Sequence, residues 1–137
     1  RVESDETVLT QLVYAVGQLQ RVDAIPLIVP LRARQNTALS IQIIRTLSRL
    51  GPYMIHQEDL THDDPLVRVE AIRALGLTDK TALLKSAKTL FLDPNPAVRC
   101  AVVVALKSLQ DPRAHCLISA LPRDSHPEVQ AHLEGWL

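Results

Sequence analysis

The sequence predicts an all-α fold: a solenoid of about five helical hairpins in tandem, the first of them incomplete. Three observations point there. One motif appears five times, at spacings of 31, 28, 31 and 31 residues. Within each copy, apolar residues fall four and eight positions apart, which is one face of a helix. The apolar 47% of the chain is also almost entirely aliphatic, with 22 Leu, 14 Ala, 13 Val and 8 Ile against one Phe, one Trp and two Tyr. Repeated units that bury modest side chains against their neighbours need no large aromatic core.

The elements follow in order. Asp5-Glu6-Thr7-Val8, with Leu12-Val13 and Val16, opens the first long helix; a shorter apolar segment follows over 22–31. Asn36-Thr37-Ala38-Leu39, with Ile43-Ile44 and Leu47, gives the second, followed by the least regular short segment, 52–60. Asp64-Pro65-Leu66-Val67-Arg68, with Ala71-Ile72 and Ala74-Leu75, gives the third, followed by 81–92. Asn95-Pro96-Ala97-Val98-Arg99, with Val102-Val103 and Ala105-Leu106, gives the fourth, followed by 112–121. His126-Pro127-Glu128-Val129-Gln130, with Leu133 and Trp136-Leu137, gives the fifth.

These copies align into columns. One reads Val8, Leu39, Val67, Val98, Val129; the next reads Leu12, Ile43, Ala71, Val102, Leu133; a third reads Val16, Leu47, Leu75, Leu106, Leu137. The column before each helix reads Asp5, Asn36, Asp64, Asn95, His126. The first four are strong N-cap residues, whose side-chain oxygen accepts from an amide of the first turn. Pro65, Pro96 and Pro127 follow at the first helical position, where a missing N–H is no loss. Gly51-Pro52, Thr78-Asp79 and Asp111-Pro112 mark turns. No stretch alternates as a strand would. Such a hairpin has more apolar surface than it can bury alone, and Ala71, Ala74, Ala101 and Ala105 allow close stacking on the next.

Fifteen basic residues balance fifteen acidic ones, so a whole-domain electrostatic grip on nucleic acid or anionic lipid is not expected. No apolar run approaches the roughly 18 residues of a membrane span. Cys100 and Cys116 sit in apolar stretches and read as buried, reduced thiols of an intracellular, cytoplasmic-type protein; a disulfide between them is the alternative. The chain opens at Arg1 without an initiator Met, its first unit lacks a first helix, and it stops at Trp136-Leu137. The expectation is a single solenoid domain over 1–137 that is a piece of a longer protein.

The motifs Asp64-Pro65-Leu66-Val67-Arg68…Ala71-Ile72-Arg73-Ala74-Leu75-Gly76 and Asp93-Pro94-Asn95-Pro96-Ala97-Val98-Arg99…Ala105-Leu106 resemble HEAT repeats, in particular the short variety named after phycobiliprotein lyases. The resemblance covers nearly the whole chain. It implies a right-handed superhelix whose second helices line a concave surface. It also implies a ladder between neighbouring repeats, formed by an Asp before the second helix and an Arg inside it. The matching residues are Arg68, Asp93, Arg99 and Asp124. His62 replaces the Asp of the third unit, Gln130 replaces the Arg of the fifth, and units one and two have Glu3/Leu9 and Arg34/Ser40 at these positions.

No catalytic constellation is expected. His56, His62, His115, His126 and His132 show no ligand spacing on one helical face and read as cap, loop or surface residues. There is no Cys-x-x-Cys, no Gly-rich phosphate loop and no His-Glu dipeptide of the kind that holds iron in a HEAT-like hydroxylase. No residue is identified that would handle a tetrapyrrole. No metal or cofactor is expected, and a small-molecule ligand is not favoured. Charge gives one lead. Arg32, Arg34, Arg45 and Arg49 lie in a stretch free of acids, and Glu58, Asp59, Asp63 and Asp64 come next. Arg45 and Arg49 are four apart on a second helix, and Arg73 and Lys107 extend the set along later second helices. The expected function is a non-catalytic scaffold that takes a protein or peptide partner, acidic in part, on the concave face, through Arg45, Arg49, Arg73 and Lys107. The alternatives are a subunit of a lyase-like or other enzyme complex and a weak nucleic-acid-binding module.

Overall fold

In the computed structural model, residues 2–34, 36–50 and 57–134 are described. The Gly51-Pro52 turn, His56, most of the irregular segment before Leu60 and the Trp136-Leu137 end lie outside them. Among the described residues there is no strand. The long helices are α1 (Val2–Gln18), α3 (Thr37–Leu50), α5 (Pro65–Thr78), α7 (Pro96–Ser108) and α9 (Pro127–Glu134). Between them lie α2 (Ile25–Ile28), α4 (Gln57–Leu60), α6 (Lys80–Leu90) and α8 (Pro112–Ser119).

The long helices pack in series, α1 on α3, α3 on α5, α5 on α7 and α7 on α9. The shorter elements cover their other side: α4 and α6 lie against α5, and α6 and α8 against α7. The columns of the sequence become the core. Leu39, Val67, Val98 and Val129 are wholly buried, and so are Ala71, Val102 and Leu75. Val8 and Leu12 occupy the same columns but are 53% and 56% exposed. The face of α1 that packs on α3 is buried instead through Val13.

Local chemistry sets the helix ends. Asn36 Oδ1 accepts from the Leu39 N–H, Asp64 Oδ1 from Leu66 and Asn95 Oδ1 from Ala97, at 2.8–2.9 Å. Two positions differ from expectation. Asp5 is not a cap, since α1 begins before it, and an acid is well tolerated near a helix start. His126 does cap, its Nδ1 accepting from Glu128 N–H at 3.3 Å. The segment expected as one short helix over 22–31 is split into 3₁₀ turns at Val22–Ala24 and Val29–Ala33 around α2. Pro30 has no N–H to return to the carbonyl of Pro26, so a continuous α-helix cannot form there.

The ends of α1 and α7 share a further feature. Gln20 and Gln110, equivalent positions 90 residues apart, are the only non-glycine residues with positive φ among those described, at 55° and 51°. After α1 the turn is closed by Gln20 N–H to Gly17 O and Arg21 N–H to Val16 O, the paired bonds of a Schellman motif. A side chain in this left-handed region costs about 1 kcal/mol relative to glycine. Gln20→Gly and Gln110→Gly should therefore each raise unfolding stability by roughly 0.5–1 kcal/mol, and additively, as measured by urea denaturation of the single and double variants.

Candidate partner-binding face

Two kinds of polar structure cross between helices, one holding the repeats together and one facing solvent. The first is a set of rungs between successive units. Arg68 Nε and Nη2 donate to Asp93 Oδ2 and Oδ1 at 2.8 and 3.1 Å. Its remaining Nη1 donates to the backbone oxygens of His62 and Asp63 at 2.7 and 3.2 Å. Arg99 repeats the arrangement, with Asp124 at 2.9 and 3.2 Å and Asp93 O at 2.7 Å. Each arginine so ties the turn before its own helix to the turn before the next. Each aspartate also accepts from the N–H two residues on, Asn95 or His126. These pairs are shielded, with side-chain exposures of 5–14%.

Where the motif departs, another link stands in. His62 Nδ1 accepts from Asp64 N–H at 3.0 Å, doing the local work of the missing Asp. Gln130 cannot bridge onward and instead accepts from Asp124 N–H at 2.7 Å. Between α3 and the turn before α5, Thr37 Oγ1 donates to Asp64 Oδ2 at 2.7 Å. At the first junction the polarity is reversed: Arg34, in the Asp column, pairs with Glu6 of α1. Arg32 pairs with Asp59 of α4.

The second structure is a groove across the long helices. Its first stretch is lined by Tyr14 of α1, by Gln42, Arg45 and Arg49 of α3, and by Arg73 and Leu77 of α5. Its second stretch runs between α5 and α7 and again includes Arg73 and Leu77, with Val69, Ala101, Cys100 and Val104. Gly17 allows the close approach beneath the first stretch: a β-carbon there would meet the Thr46 side chain at 3.2 Å. Glu70, 5% exposed, fixes the arginines. Its Oε1 accepts from Arg45 Nε at 3.1 Å, and its Oε2 accepts from Arg73 Nε at 2.8 Å. Both arginine side chains stay about half exposed (54% and 53%). Arg49 is exposed and has no ion pair among the described residues.

Of the residues singled out in the sequence, Arg45, Arg49 and Arg73 come together here, and Lys107 does not. It shares a column with Gly17, Ser48 and Gly76, but on α7, half-buried and outside the lining of either stretch. The acids that follow the arginines in sequence do not join them among the described residues. Asp59 and Asp64 are taken up by Arg32 and by the α5 cap, and the described lining of the first stretch contains no carboxylate. Glu70 is the residue that sequence reasoning missed. It was legible as the one acid in an inner column flanked by Arg45 and Arg73. Both cysteines are free, but neither is fully buried as expected: Cys100 is half-buried and Cys116 is exposed. Burial, together with Glu128 and Asp124, pushes the Cys100 thiol up. Among the described residues no group of three or more His, Cys, Asp or Glu is placed to hold a metal ion, and no helix is long and apolar enough to cross a membrane.

Stacked helical hairpins joined by arginine–aspartate rungs define a helical-repeat protein. A family model described as HEAT repeats matches residues 55–135, more than half of the 137-residue chain, and the chain belongs to that family. No curated protein and no solved structure matches it.

The rungs make two measurable demands. Arg99→Ala leaves the shielded Asp124 carboxylate without its partner and should cost about 3 kcal/mol in urea denaturation. Arg99→Lys should recover only part, since an ammonium cannot make the bidentate pair and the carbonyl contact together. The second demand concerns acid. Burial pushes the Asp124 carboxyl up, but the Arg99 guanidinium, the His126 N–H and the nearby positive charges outweigh it and hold the group below its ordinary 3.8. A bond from Thr37 lowers Asp64, and Arg113 lowers Asp111. A depressed folded-state pKa contributes stability that is present above 3.8 and lost as pH falls through the folded value. Unfolding stability should thus decline below about pH 4, and Asp124→Asn should make that decline shallower.

Proposed function

We propose that this chain is a non-catalytic scaffold that binds a partner protein on the face formed by its long helices. HEAT repeats generally mediate protein–protein interaction, and this face has the form that such a role requires. The array is a right-handed superhelix of about five units, and its concave side is the groove across α1, α3, α5 and α7. The observation that carries the reading is the pair of adjoining stretches of that groove, which share Arg73 and Leu77. Its exposed residues are not needed for the stack: Leu77 is 70% exposed, and Arg49 stands outside the rungs. Residues with acid–base potential are engaged structurally instead, as with His62 and His126 at their turns. The protein acts inside the cell, where free thiols such as Cys100 and Cys116 persist.

The test compares the two sides of the array. Arg49→Glu with Leu77→Lys should abolish affinity capture of the partner, read by mass spectrometry, with a melting temperature within about 2 °C of the parent. Lys85→Glu with Lys88→Glu, on exposed positions of α6, should leave capture intact. Equal capture by both variants would contradict the assignment of the face.

A further inference from the structure

Resting on the scaffold reading, we infer that the groove has a direction, and that its partner is a protein segment with carboxylates at one end and aliphatic side chains at the other. The first stretch is cationic. Arg45, Arg49 and Arg73 bring three guanidiniums to it, and among the described residues the acid paired with them is the single carboxylate of Glu70. Two positive charges are left over. Glu70 sits beneath the groove, accepts from both Nε atoms and contacts Arg73 Nη2 at 2.7 Å, so it orients both guanidiniums while each side chain stays about half exposed. Guanidiniums held this way are prepared for carboxylates, because little side-chain freedom is lost on binding. Tyr14, exposed at the same stretch, adds a hydroxyl.

The second stretch has a different character. Tyr14, Arg45, Arg73 and Val104 occupy one column of the repeat. The column so changes from phenol to guanidinium to isopropyl along the array. Around Val104 the walls are Val69, Leu77, Ala97, Ala101 and the half-buried Cys100. Val104 and Leu77 are exposed at 49% and 70%. Small residues on α7 leave room for an aliphatic side chain between the helices.

A nucleic-acid strand would satisfy the arginines but has nothing aliphatic to offer the second stretch, and no aromatic platform stands beside Val104 for a base. An acidic–aliphatic protein segment satisfies both. Neighbouring helix axes lie about 8–10 Å apart, so α3 to α7 is roughly 16–20 Å. That distance is about five or six residues of extended chain.

The probe is a synthetic peptide with a three-glutamate block and a three-leucine block, joined by a six-residue Gly/Ser spacer and labelled for fluorescence anisotropy. The expected result is binding to the parent chain at least tenfold tighter than that of the peptide with lysines in place of the glutamates. Affinity should fall with added salt. Arg49→Glu and Val104→Glu should each weaken binding about tenfold or more. Arg49 is outside the Glu70 pair and Val104 is half exposed, so neither change removes a core contact; circular dichroism checks the fold. Equal binding of the two peptides overturns the inference. So does tighter binding of a poly-dT oligonucleotide that Arg49→Glu abolishes and Val104→Glu leaves unchanged. If partner capture depends on Leu77 and Arg49 while these peptides do not discriminate, the direction of the groove is wrong and the scaffold reading stands. If neither depends on them, both fall.

Discussion

Each hairpin in this chain presents an aliphatic face that only the next hairpin can cover. That constraint governs the rest. Val67, Val98 and Val129 are equally and wholly buried because each sits in the same gap between successive units. Coverage alone would let the units slide, since aliphatic contacts are non-directional. The arginine rungs supply the direction. Arg68 and Arg99 each grip a carboxylate of the following unit and a carbonyl of their own, so the two turns are held at a set separation. A shielded pair adds little net stability over apolar packing, yet it is costly to break on one side. Its contribution here is register.

The rungs also explain what the second-helix face is left to do. Asp59 is held by Arg32, Asp64 caps α5, and Asp93 and Asp124 accept from backbone amides, and no carboxylate lines the first stretch of the groove among the described residues. Glu70 lies under the surface rather than on it. The result is an exposed face with uncompensated positive charge at α3 and α5 and an aliphatic character at α7. A chain of zero formal charge can therefore carry a locally cationic groove, because balance over a sequence says nothing about where each charge is spent.

Much of this was legible in the residues. The columns through Leu39, Val67, Val98 and Val129 gave the core, and the Asn36, Asp64 and Asn95 column gave the helix starts, because burial and capping are local and periodic. The exceptions have physical causes. Asp5 looked like its column-mates, but α1 already runs through it from Val2, and an acid is tolerated near a helix start. His126 looked weak as a cap, yet an imidazole nitrogen accepts a hydrogen bond as an oxygen does. Pro26 and Pro30 broke a segment whose apolar spacing suggested one helix. The arginines were visible as a set, but their partners were not. Arg34 with Glu6, and Arg45 with Glu70, join positions 28 and 25 residues apart, a pairing that only the stacked geometry decides. Lys107 shows the converse: a correct column does not place a long side chain in a particular groove.

Amide hydrogen exchange on the 137-residue chain tests most directly whether coverage by neighbours sets the stability. Units covered on both sides should open last, so the amides of α5 and α7 should exchange slowest, with protection falling toward α1 and α9. Protection as high in α1 as in α5, or a single uniform rate over all the helices, would contradict the account.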